Sequence, residues 1–321
     1  MKRILLLSTG GTVASAPSEE GLVPKFTGAE IIRLMPKLEA LCYVDCKSIL
    51  SLDSSNMQPE DWRVIVYETL KGLEKYDGVV ITHGTDTMAY TSSILSFMLR
   101  NLNKPVILTG SQLPIDAPDT DGKRNILNAF HVAVSGLPGV YIVFDGKIIK
   151  GVRAVKMRTV SFNAFESINH PYIGYVENDR VVIDNPPRCV PDGPVEVDDA
   201  FDSRVFLLKL VPGTSPDIMD MIIGMGYSGL VIEGFGSGGL PYSRRNLIPK
   251  IEQVLKAGIA VVVTTQCVYE GSDLNIYDVG LKAARAGVVP AYDMTSEAAV
   301  TKLMWVLGHT RDFSKIREMM L

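Results

Sequence analysis

Residues 4–12 read ILLLSTGGT and residues 79–88 read VVITHGTDTM, and these two stretches decide the fold. Each begins as a short apolar run, which is typical of a buried parallel strand. Each then continues into a loop that places glycine beside threonine. Because open α/β sheets bind ligands at the carboxyl ends of their strands, Thr12 and Thr85 are predicted to lie at a ligand edge. Two glycine-flanked threonines there indicate a nucleophile site rather than a packing feature.

The composition indicates a globular protein of about two domains. Of its 321 residues, 46% are hydrophobic and 21% are charged, and the formal net charge is −4. This small acidic excess gives no indication of the positive charge with which proteins bind nucleic acid or an anionic membrane. No apolar run approaches the roughly 20 residues of a membrane span, and the run after Arg3 is shorter than the roughly 7 residues of a secretory leader. We therefore expect a cytoplasmic protein with no nucleic-acid or membrane partner.

Strand-like runs and helix-like patterns alternate along the first part of the chain. Strands are predicted over residues 3–7, 79–81, 105–108 and 140–144. Helices are predicted over residues 59–73, 86–99 and 121–134. This alternation is typical of a doubly wound, mostly parallel sheet, so the predicted fold class is α/β, with a larger N-terminal catalytic domain over residues 1–185.

A segment rich in proline, glycine and acidic residues follows and predicts an interdomain linker over residues 186–203. Beyond it the alternation resumes on a smaller scale, which predicts a second α/β domain over residues 204–321. Its strands are expected at 205–210, 229–232 and 259–263, and its helices at 215–225, 243–257 and 296–307.

Thr85 has sequence neighbours that suit a nucleophilic hydroxyl. A threonine hydroxyl is a weak nucleophile at neutral pH and needs a proton acceptor within hydrogen-bond reach. Asp86 adjoins Thr85, and Lys156 is a reasonable cation to balance that carboxylate if the site is buried. Lys156 can accept the Thr85 proton if burial outweighs the effect of the carboxylate. His83 is better explained by a hydrogen bond within its loop than by acid–base chemistry, because the sequence gives it no positioned partner.

Neither a phosphate cofactor nor a metal is indicated. A glycine–threonine turn is common at phosphate sites, but this chain has no GxGxxG motif and no P-loop lysine. Cys42 and Cys46 are four residues apart, yet no histidine or second cysteine pair lies nearby to complete a zinc site. We expect no cofactor and no bound metal.

The two threonine loops resemble the paired threonine motifs of bacterial-type L-asparaginases, and the chain is most similar to the intracellular (type I) branch. Residues 52–62 (LDSSNMQPEDW) resemble the substrate-binding loop of that family, and residues 104–112 (KPVILTGSQ) its fourth-strand motif. The resemblance covers the whole chain, and the first 170 residues carry its most specific parts. It implies hydrolysis of the side-chain amide of L-asparagine to L-aspartate and ammonia.

The resemblance also implies a role for each matching residue. Thr12 would be the nucleophile that forms a covalent β-aspartyl intermediate. Thr85, Asp86 and Lys156 would form a second catalytic cluster, with Asp86 also binding the substrate ammonium. Ser54 would hold the α-carboxylate, and backbone N–H groups beside the two threonines would stabilise the oxyanion. The residues assigned to substrate binding are Asp53, Ser54, Ser55, Gly11, Gly84 and Ser111.

The chain departs from the family pattern in ways that leave some roles open. No tyrosine lies between Gly11 and Phe26, where many members carry the residue that helps to activate the first threonine. Tyr277 is a candidate for that activation, within its own subunit or across subunits, and ordinary packing explains it equally well. Residues around Cys267 resemble a second, allosteric asparagine site, although Glu233 stands where the matching arginine would be. The family also implies a homo-oligomer, commonly a dimer of dimers.

Three alternative functions remain at the sequence level. A glutaminase uses the same chemistry, and one methylene is worth only about 1–3 kcal/mol of discrimination. The ammonia-releasing component of a tRNA-linked amidotransferase shares these loops but carries an additional N-terminal domain, whereas here the first strand is expected from residue 3. A non-catalytic asparagine sensor would use the same pocket, but would have no need for two nucleophile-like hydroxyls and a lysine.

Overall fold

The computed structural model describes residues 1–18, 21–24, 26–276 and 278–321, which form two compact units, residues 1–198 and 199–321. The strands of the first unit are β1 (Arg3–Gly10), β2 (Ser15–Ser18), β3 (Gly21–Pro24), β4 (Tyr43–Leu52), β5 (Gly78–Thr82), β6 (Leu99–Arg100), β7 (Pro105–Thr109), β8 (Gly139–Phe144), β9 (Lys147–Lys150), β10 (Ala154–Lys156), β11 (Phe165–Ser167), β12 (Gly174–Glu177), β13 (Arg180–Ile183) and β14 (Glu196–Val197). Its helices are α1 (Gly28–Arg33), α2 (Lys37–Leu41), α3 (Pro59–Lys75), α4 (Met88–Met98) and α5 (Gly122–Ser135).

The first unit is built on an eight-stranded sheet of order β13-β12-β9-β8-β7-β5-β1-β4. Strands β4, β1, β5, β7 and β8 are parallel, and β9, β12 and β13 extend the sheet antiparallel. The chain moves from β1 to β4 on one side and then crosses to β5 on the other, so strand order reverses at β1. The carboxyl ends of β1 and β5 are therefore neighbours at the switch point, where such sheets bind ligands.

The central strands are buried along almost their whole length. Every residue of β5 and β7 is buried, as are all residues of β1 except Arg3. Parallel strands covered on both faces read as continuous apolar runs, which is why the sequence predicts them well. Helix α5 packs the buried side chains of Ile126 and Phe130 into the same core. This rigid platform fixes where the loops after β1 and β5 begin.

The second unit has a four-stranded parallel sheet with helices around it. Its strands are β15 (Val205–Lys209), β16 (Gly229–Gly234), β17 (Ala260–Thr265) and β18 (Val289–Pro290), in that order. Its helices are α6 (Ile218–Gly224), α7 (Ile248–Lys256), α8 (Asp278–Ala286), α9 (Ser296–His309) and α10 (Phe313–Met320). The predicted class, a mostly parallel larger sheet with a smaller α/β unit, is confirmed. None of the described helices is both long and apolar enough to cross a membrane.

Three predicted helices begin two or more residues later than expected. Helix α4 starts at Met88 rather than at residue 86, because the Asp86 N–H donates to the Ser54 hydroxyl and the Thr87 hydroxyl donates to the Ser54 carbonyl. Helix α6 starts at Ile218 rather than at residue 215, and helix α7 starts at Ile248 rather than at residue 243. The first difference matters for the site, since Asp86 lies in a loop and not on a helix face.

Candidate active site

The loops after β1, β4 and β5 touch one another through glycine backbones. A Cβ on Gly11 would lie 2.5 Å from the Gly84 Cα atom, and a Cβ on Gly84 would lie 2.5 Å from the Ser54 Oγ atom. Gly11 also has φ +79°, a conformation that other residues rarely adopt. Glycine is therefore required at both positions by contact, and the predicted loops form a single cluster.

Lys156 links Thr85 to Asp86. Its Nζ atom donates to Thr85 Oγ1 at 2.7 Å and to Asp86 Oδ1 at 2.6 Å. Thr85 is buried, the Lys156 side chain is 17% exposed and the Asp86 side chain is 58% exposed. The carboxylate can thus meet a ligand while it holds the ammonium against the hydroxyl. The predicted trio is assembled as a hydrogen-bonded unit.

A short antiparallel ribbon delivers Lys156 to this position. Lys156 is the last residue of β10 and pairs with Phe165 of β11. On β11, Glu166 accepts from Arg158 at 2.8 Å and forms an ion pair with Lys147 at 3.3 Å. These charged contacts tie the ribbon to β9 and limit the movement of the lysine backbone.

The Ser54 loop is fixed from both sides. Asp53 Oδ1 accepts from the Ser55 backbone N–H and from the Ser55 hydroxyl, both at 2.9 Å. Buried Ser54 accepts the Asp86 N–H on its Oγ atom at 3.2 Å, and its carbonyl accepts from Thr87 Oγ1 at 2.8 Å. Among the described residues the Ser54 hydroxyl hydrogen meets no acceptor, so it is available to a ligand. Asp53 and Ser55 thus shape the turn that presents Ser54.

Two residues absent from the predicted site organise the loop after β7. Buried Asp121 accepts the backbone N–H groups of Gln112 (3.0 Å) and Leu113 (3.1 Å). Gln112 accepts a long hydrogen bond from Thr85 Oγ1 at 3.4 Å and donates to the Ser161 carbonyl at 3.2 Å. Ser111 donates its hydroxyl to the Leu113 carbonyl. Gln112 lies within the quoted 104–112 stretch, but nothing local marks Asp121 as more than a helix start.

Thr12 begins a single 3₁₀ turn, residues Thr12–Ala14, directly after the loop of β1. Its side chain is half-buried, and within the described ranges its hydroxyl makes no hydrogen bond. The N–H of Gly11 donates to the Leu52 carbonyl at 2.8 Å, so this N–H is not open to an oxyanion. The Thr12 and Thr85 N–H groups have no hydrogen-bond acceptor in the described part of the chain. They are the better candidates for oxyanion donors.

Profiles of two known families match the chain. The family described as "Asparaginase, N-terminal" matches residues 3–189, and "Glutaminase/Asparaginase C-terminal domain" matches residues 204–320. The chain belongs to the asparaginase family. The resemblance drawn from the sequence motifs is thereby confirmed.

Two kinds of known protein match over nearly the full length of the chain. An L-asparaginase of Thermococcus kodakarensis is 45% identical over 319 residues, covering 99% of this chain and 96% of that protein. A glutamyl-tRNA(Gln) amidotransferase component of Pyrococcus abyssi is 39% identical over 333 residues, covering 100% of this chain and 75% of that protein. Identity is therefore higher to the asparaginase than to the amidotransferase component.

Solved asparaginase structures share the fold. The thermostable L-asparaginase from Thermococcus kodakarensis superposes with a TM-score of 0.94 at 45% identity, covering 99% of this chain and 96% of that one. L-asparaginase I from Vibrio cholerae superposes with a TM-score of 0.88 at 32% identity, with the same coverage. The similarity to a type I enzyme agrees with the branch that the motifs indicate.

Two predicted site residues remain, Cys267 and Tyr277, and Cys267 belongs to the second unit. Exposed Cys267 follows β17, and its N–H donates to Thr265 Oγ1 at 3.0 Å. Glu233, at the position discussed for the missing arginine, accepts from the Ser296 hydroxyl at 2.5 Å and lies 3.7 Å from the Lys209 ammonium. Tyr277 lies outside the described residues. An allosteric role for Cys267 and an activating role for Tyr277 stay predictions.

Proposed function

We propose that this protein is an L-asparaginase, which hydrolyses the side-chain amide of L-asparagine to L-aspartate and ammonia. The observation that carries the proposal is the contact of Lys156 Nζ with both Thr85 Oγ1 and Asp86 Oδ1, beside the glycine-packed loops of Thr12 and Ser54. Membership of the asparaginase family and the 45% identity to an L-asparaginase support the same activity.

The site suits a zwitterionic amino acid. The exposed Asp86 carboxylate is proposed to bind the substrate ammonium, because a charged hydrogen bond between opposite charges is stronger than a neutral one. The Ser54 hydroxyl, whose hydrogen has no acceptor among the described residues, is proposed to donate to the α-carboxylate. The same two residues are joined through the Asp86 N–H, so the two ends of the substrate are recognised by one linked unit.

We propose that the reaction passes through an acyl-enzyme on Thr12. Its Oγ atom attacks the side-chain carbonyl carbon, and the Thr12 and Thr85 N–H groups stabilise the oxyanion. The Thr12 hydroxyl proton passes through Thr85 and Lys156 to the substrate nitrogen, the C–N bond breaks, and the nitrogen leaves as ammonia. Water attacks the aspartyl ester, and the tetrahedral intermediate collapses to release aspartate and restore the Thr12 hydroxyl. Thr85 and Lys156 relay the protons, since their polar atoms are 2.7 Å apart.

We further propose a cytoplasmic homo-oligomer, either a dimer or the dimer of dimers that is common in the family. All four cysteines are free thiols, which suits a reducing compartment. Light scattering of the purified protein is expected to give the mass of a dimer or tetramer of a 35.1 kDa chain. A monomer at all concentrations would contradict this part of the proposal.

Steady-state ammonia release from L-asparagine and L-glutamine, over a concentration series of each, tests the activity. We expect turnover of asparagine with a kcat/KM at least about tenfold above that of glutamine, the discrimination that one methylene supplies. Equal or higher glutamine turnover would favour the glutaminase. Calorimetric binding of asparagine without ammonia release would favour the sensor, and a sigmoidal rate curve would support a second asparagine site.

The amidotransferase relatives give a second reaction to test. Ammonia released here would serve amide synthesis only if it were used by a partner protein with a glutamylated tRNA. The 39% identity to the amidotransferase component falls below the 45% identity to the asparaginase, so this function is not the one we propose. Turnover that requires an added tRNA-dependent partner would reverse that preference.

A further inference from the structure

His83 is fully buried at the carboxyl end of β5, two residues before Thr85. Its Nδ1 atom lies 2.7 Å from the Gly84 carbonyl oxygen, and its Nε2 atom lies 2.9 Å from Thr91 Oγ1. The Trp62 indole Nε1–H donates to the same Thr91 hydroxyl at 3.2 Å. A continuous chain of hydrogen bonds therefore runs from helix α3 through helix α4 to the loop backbone.

The partners in this chain of hydrogen bonds fix the tautomer and the protonation of the His83 imidazole. A carbonyl oxygen only accepts, so the Nδ1 atom must carry a hydrogen. In a neutral ring the Nε2 atom then accepts, and the Thr91 hydroxyl donates to it while accepting from Trp62. Burial lowers the pKa of His83 to about 4, so the neutral ring persists at physiological pH. Each donor in the series from Trp62 to the Gly84 carbonyl then meets one acceptor.

The accepting carbonyl belongs to the peptide between Gly84 and Thr85. Its plane also contains the Thr85 N–H, one of the proposed oxyanion donors. A hydrogen bond to the carbonyl holds the plane in one orientation and polarises the N–H at the other end of the peptide. A Cβ on Gly84 would lie 2.5 Å from the Ser54 Oγ atom, so close packing against Ser54 also limits the movement of this peptide.

We propose that His83 is a positioning residue for the amide hydrolysis: as the Nδ1–H tautomer that the Gly84 carbonyl requires and the Thr91 hydroxyl holds in place, it fixes the Gly84–Thr85 peptide so that the Thr85 N–H faces the oxyanion. This inference rests on the proposed function for its catalytic consequence. It adds a residue that touches neither substrate nor nucleophile but acts through the backbone of Thr85.

Variants at position 83 separate positioning from packing. His83→Asn keeps an N–H donor close to the Nδ1 position, whereas His83→Phe keeps a ring and removes the donor. Because the oxyanion exists only beyond the ground state, we expect H83F to lower kcat while KM stays nearly constant. The loss is expected to be about tenfold to a hundredfold, below the roughly 10²–10³ for deleting an oxyanion donor outright. H83N should recover most of the rate.

A second pair covers the case in which H83F does not fold. Thr91→Val removes the hydroxyl that donates to Nε2 and holds the ring in place, and Thr91→Ser retains it. We expect T91V to lower kcat and T91S to behave like the unmodified enzyme. Equal kcat for T91V and T91S, or for H83F and H83N where both fold, would overturn the proposal.

A spectroscopic readout decides the structural part independently of activity. The chain has four histidines, so ¹⁵N-imidazole NMR of the intact oligomer gives few signals. We expect one ring, assigned by its loss in H83N, to be the neutral Nδ1–H tautomer at pH 7. An Nε2–H tautomer or a protonated ring would contradict the proposal. If the enzyme releases no ammonia but the tautomer is as expected, the proposed function fails while the hydrogen-bond chain stands.

Discussion

The loop that carries Thr85 is held by hydrogen bonds on several sides, whereas the hydroxyl of Thr12 meets no partner among the described residues. Thr85 contacts Lys156 and Gln112, and its neighbour Asp86 contacts both Lys156 and Ser54. Thr12 stands on a single 3₁₀ turn and is half-buried. Two loops that share a glycine–threonine motif thus have different electrostatic surroundings.

The difference suggests a division of labour. A hydroxyl that already accepts from an ammonium is well suited to pass protons, but it is less free to form a bond with carbon. A hydroxyl without partners can approach a carbonyl without breaking hydrogen bonds. The comparison therefore favours Thr12 as the attacking group and the Thr85–Lys156 pair as the proton relay. The predictions below test this division, from the largest expected effect to the smallest.

Thr12→Ala should have the largest effect. Deleting a nucleophile removes the covalent route, and comparable deletions lower kcat by about 10⁴–10⁶. Ammonia release from L-asparagine measures the loss. Thr12→Ser, which keeps a hydroxyl, is the matched control and should retain turnover. Unchanged turnover of T12A would show that Thr12 is not the nucleophile.

Lys156→Met and Thr85→Val should each lower kcat by about 10²–10⁴, the usual contribution of proton transfer. Because the two groups act as one relay, the double variant should be little worse than either single one. Lys75→Met, at an exposed lysine at the end of helix α3, is the control. If the fold-losses in kcat of the two single variants multiply in the double variant, Thr85 and Lys156 act independently, which would contradict the proposed relay.

Asp86→Asn should act mainly on substrate binding. It replaces the charged partner of the substrate ammonium by a neutral amide, and a charged hydrogen bond contributes about 1.5–3 kcal/mol. We expect kcat/KM to fall by about 10- to 150-fold, mostly through a higher KM. A smaller fall in kcat should accompany it, because Asp86 also holds the Lys156 ammonium of the relay. Asp184→Asn, at an exposed carboxylate, should leave both parameters unchanged. A fall in kcat alone would assign Asp86 to the relay only.

The smallest effect concerns stability and pH. His83 is neutral when folded because burial lowers its pKa to about 4, against about 6.5 in an unfolded chain. Between these values the unfolded chain binds a proton that the folded one does not, so the free energy of unfolding falls as pH falls. The slope is at most about 1.4 kcal/mol per pH unit. In H83N, the free energy of unfolding measured with denaturant should lack this part of the dependence on pH. Parallel plots of that free energy against pH for H83N and the unmodified protein would contradict the prediction.

The sequence predicts the part of the site that lies on buried strands. Strands β1 and β5 are continuous apolar runs covered on both faces. Their ends, and the loops of Thr12 and Thr85, can therefore be located from the pattern of apolar residues alone. Strand β4 was not predicted, because it has no fully buried residue and carries Asp45 and Lys47 among its apolar residues. Its end nevertheless supplies Leu52 and the Ser54 loop.

The contacts that complete the site cannot be predicted locally. Lys156 lies 71 residues after Thr85, and Asp121 acts on the backbone of Gln112 through a carboxylate that reads only as a helix start. His83 has a partner eight residues away and, through it, another on helix α3. Local pattern gives the residue types, but only the tertiary packing of the β10–β11 ribbon, of the start of α5, and of α3 and α4 brings these polar atoms together.

Acid quenching during turnover with saturating L-asparagine, followed by peptide mass mapping, tests the division of labour most directly. The account predicts an aspartyl adduct on the peptide that contains Thr12, absent from T12A. It also predicts no adduct on the peptide that contains Thr85. An adduct on Thr85, with none on Thr12, would contradict the account.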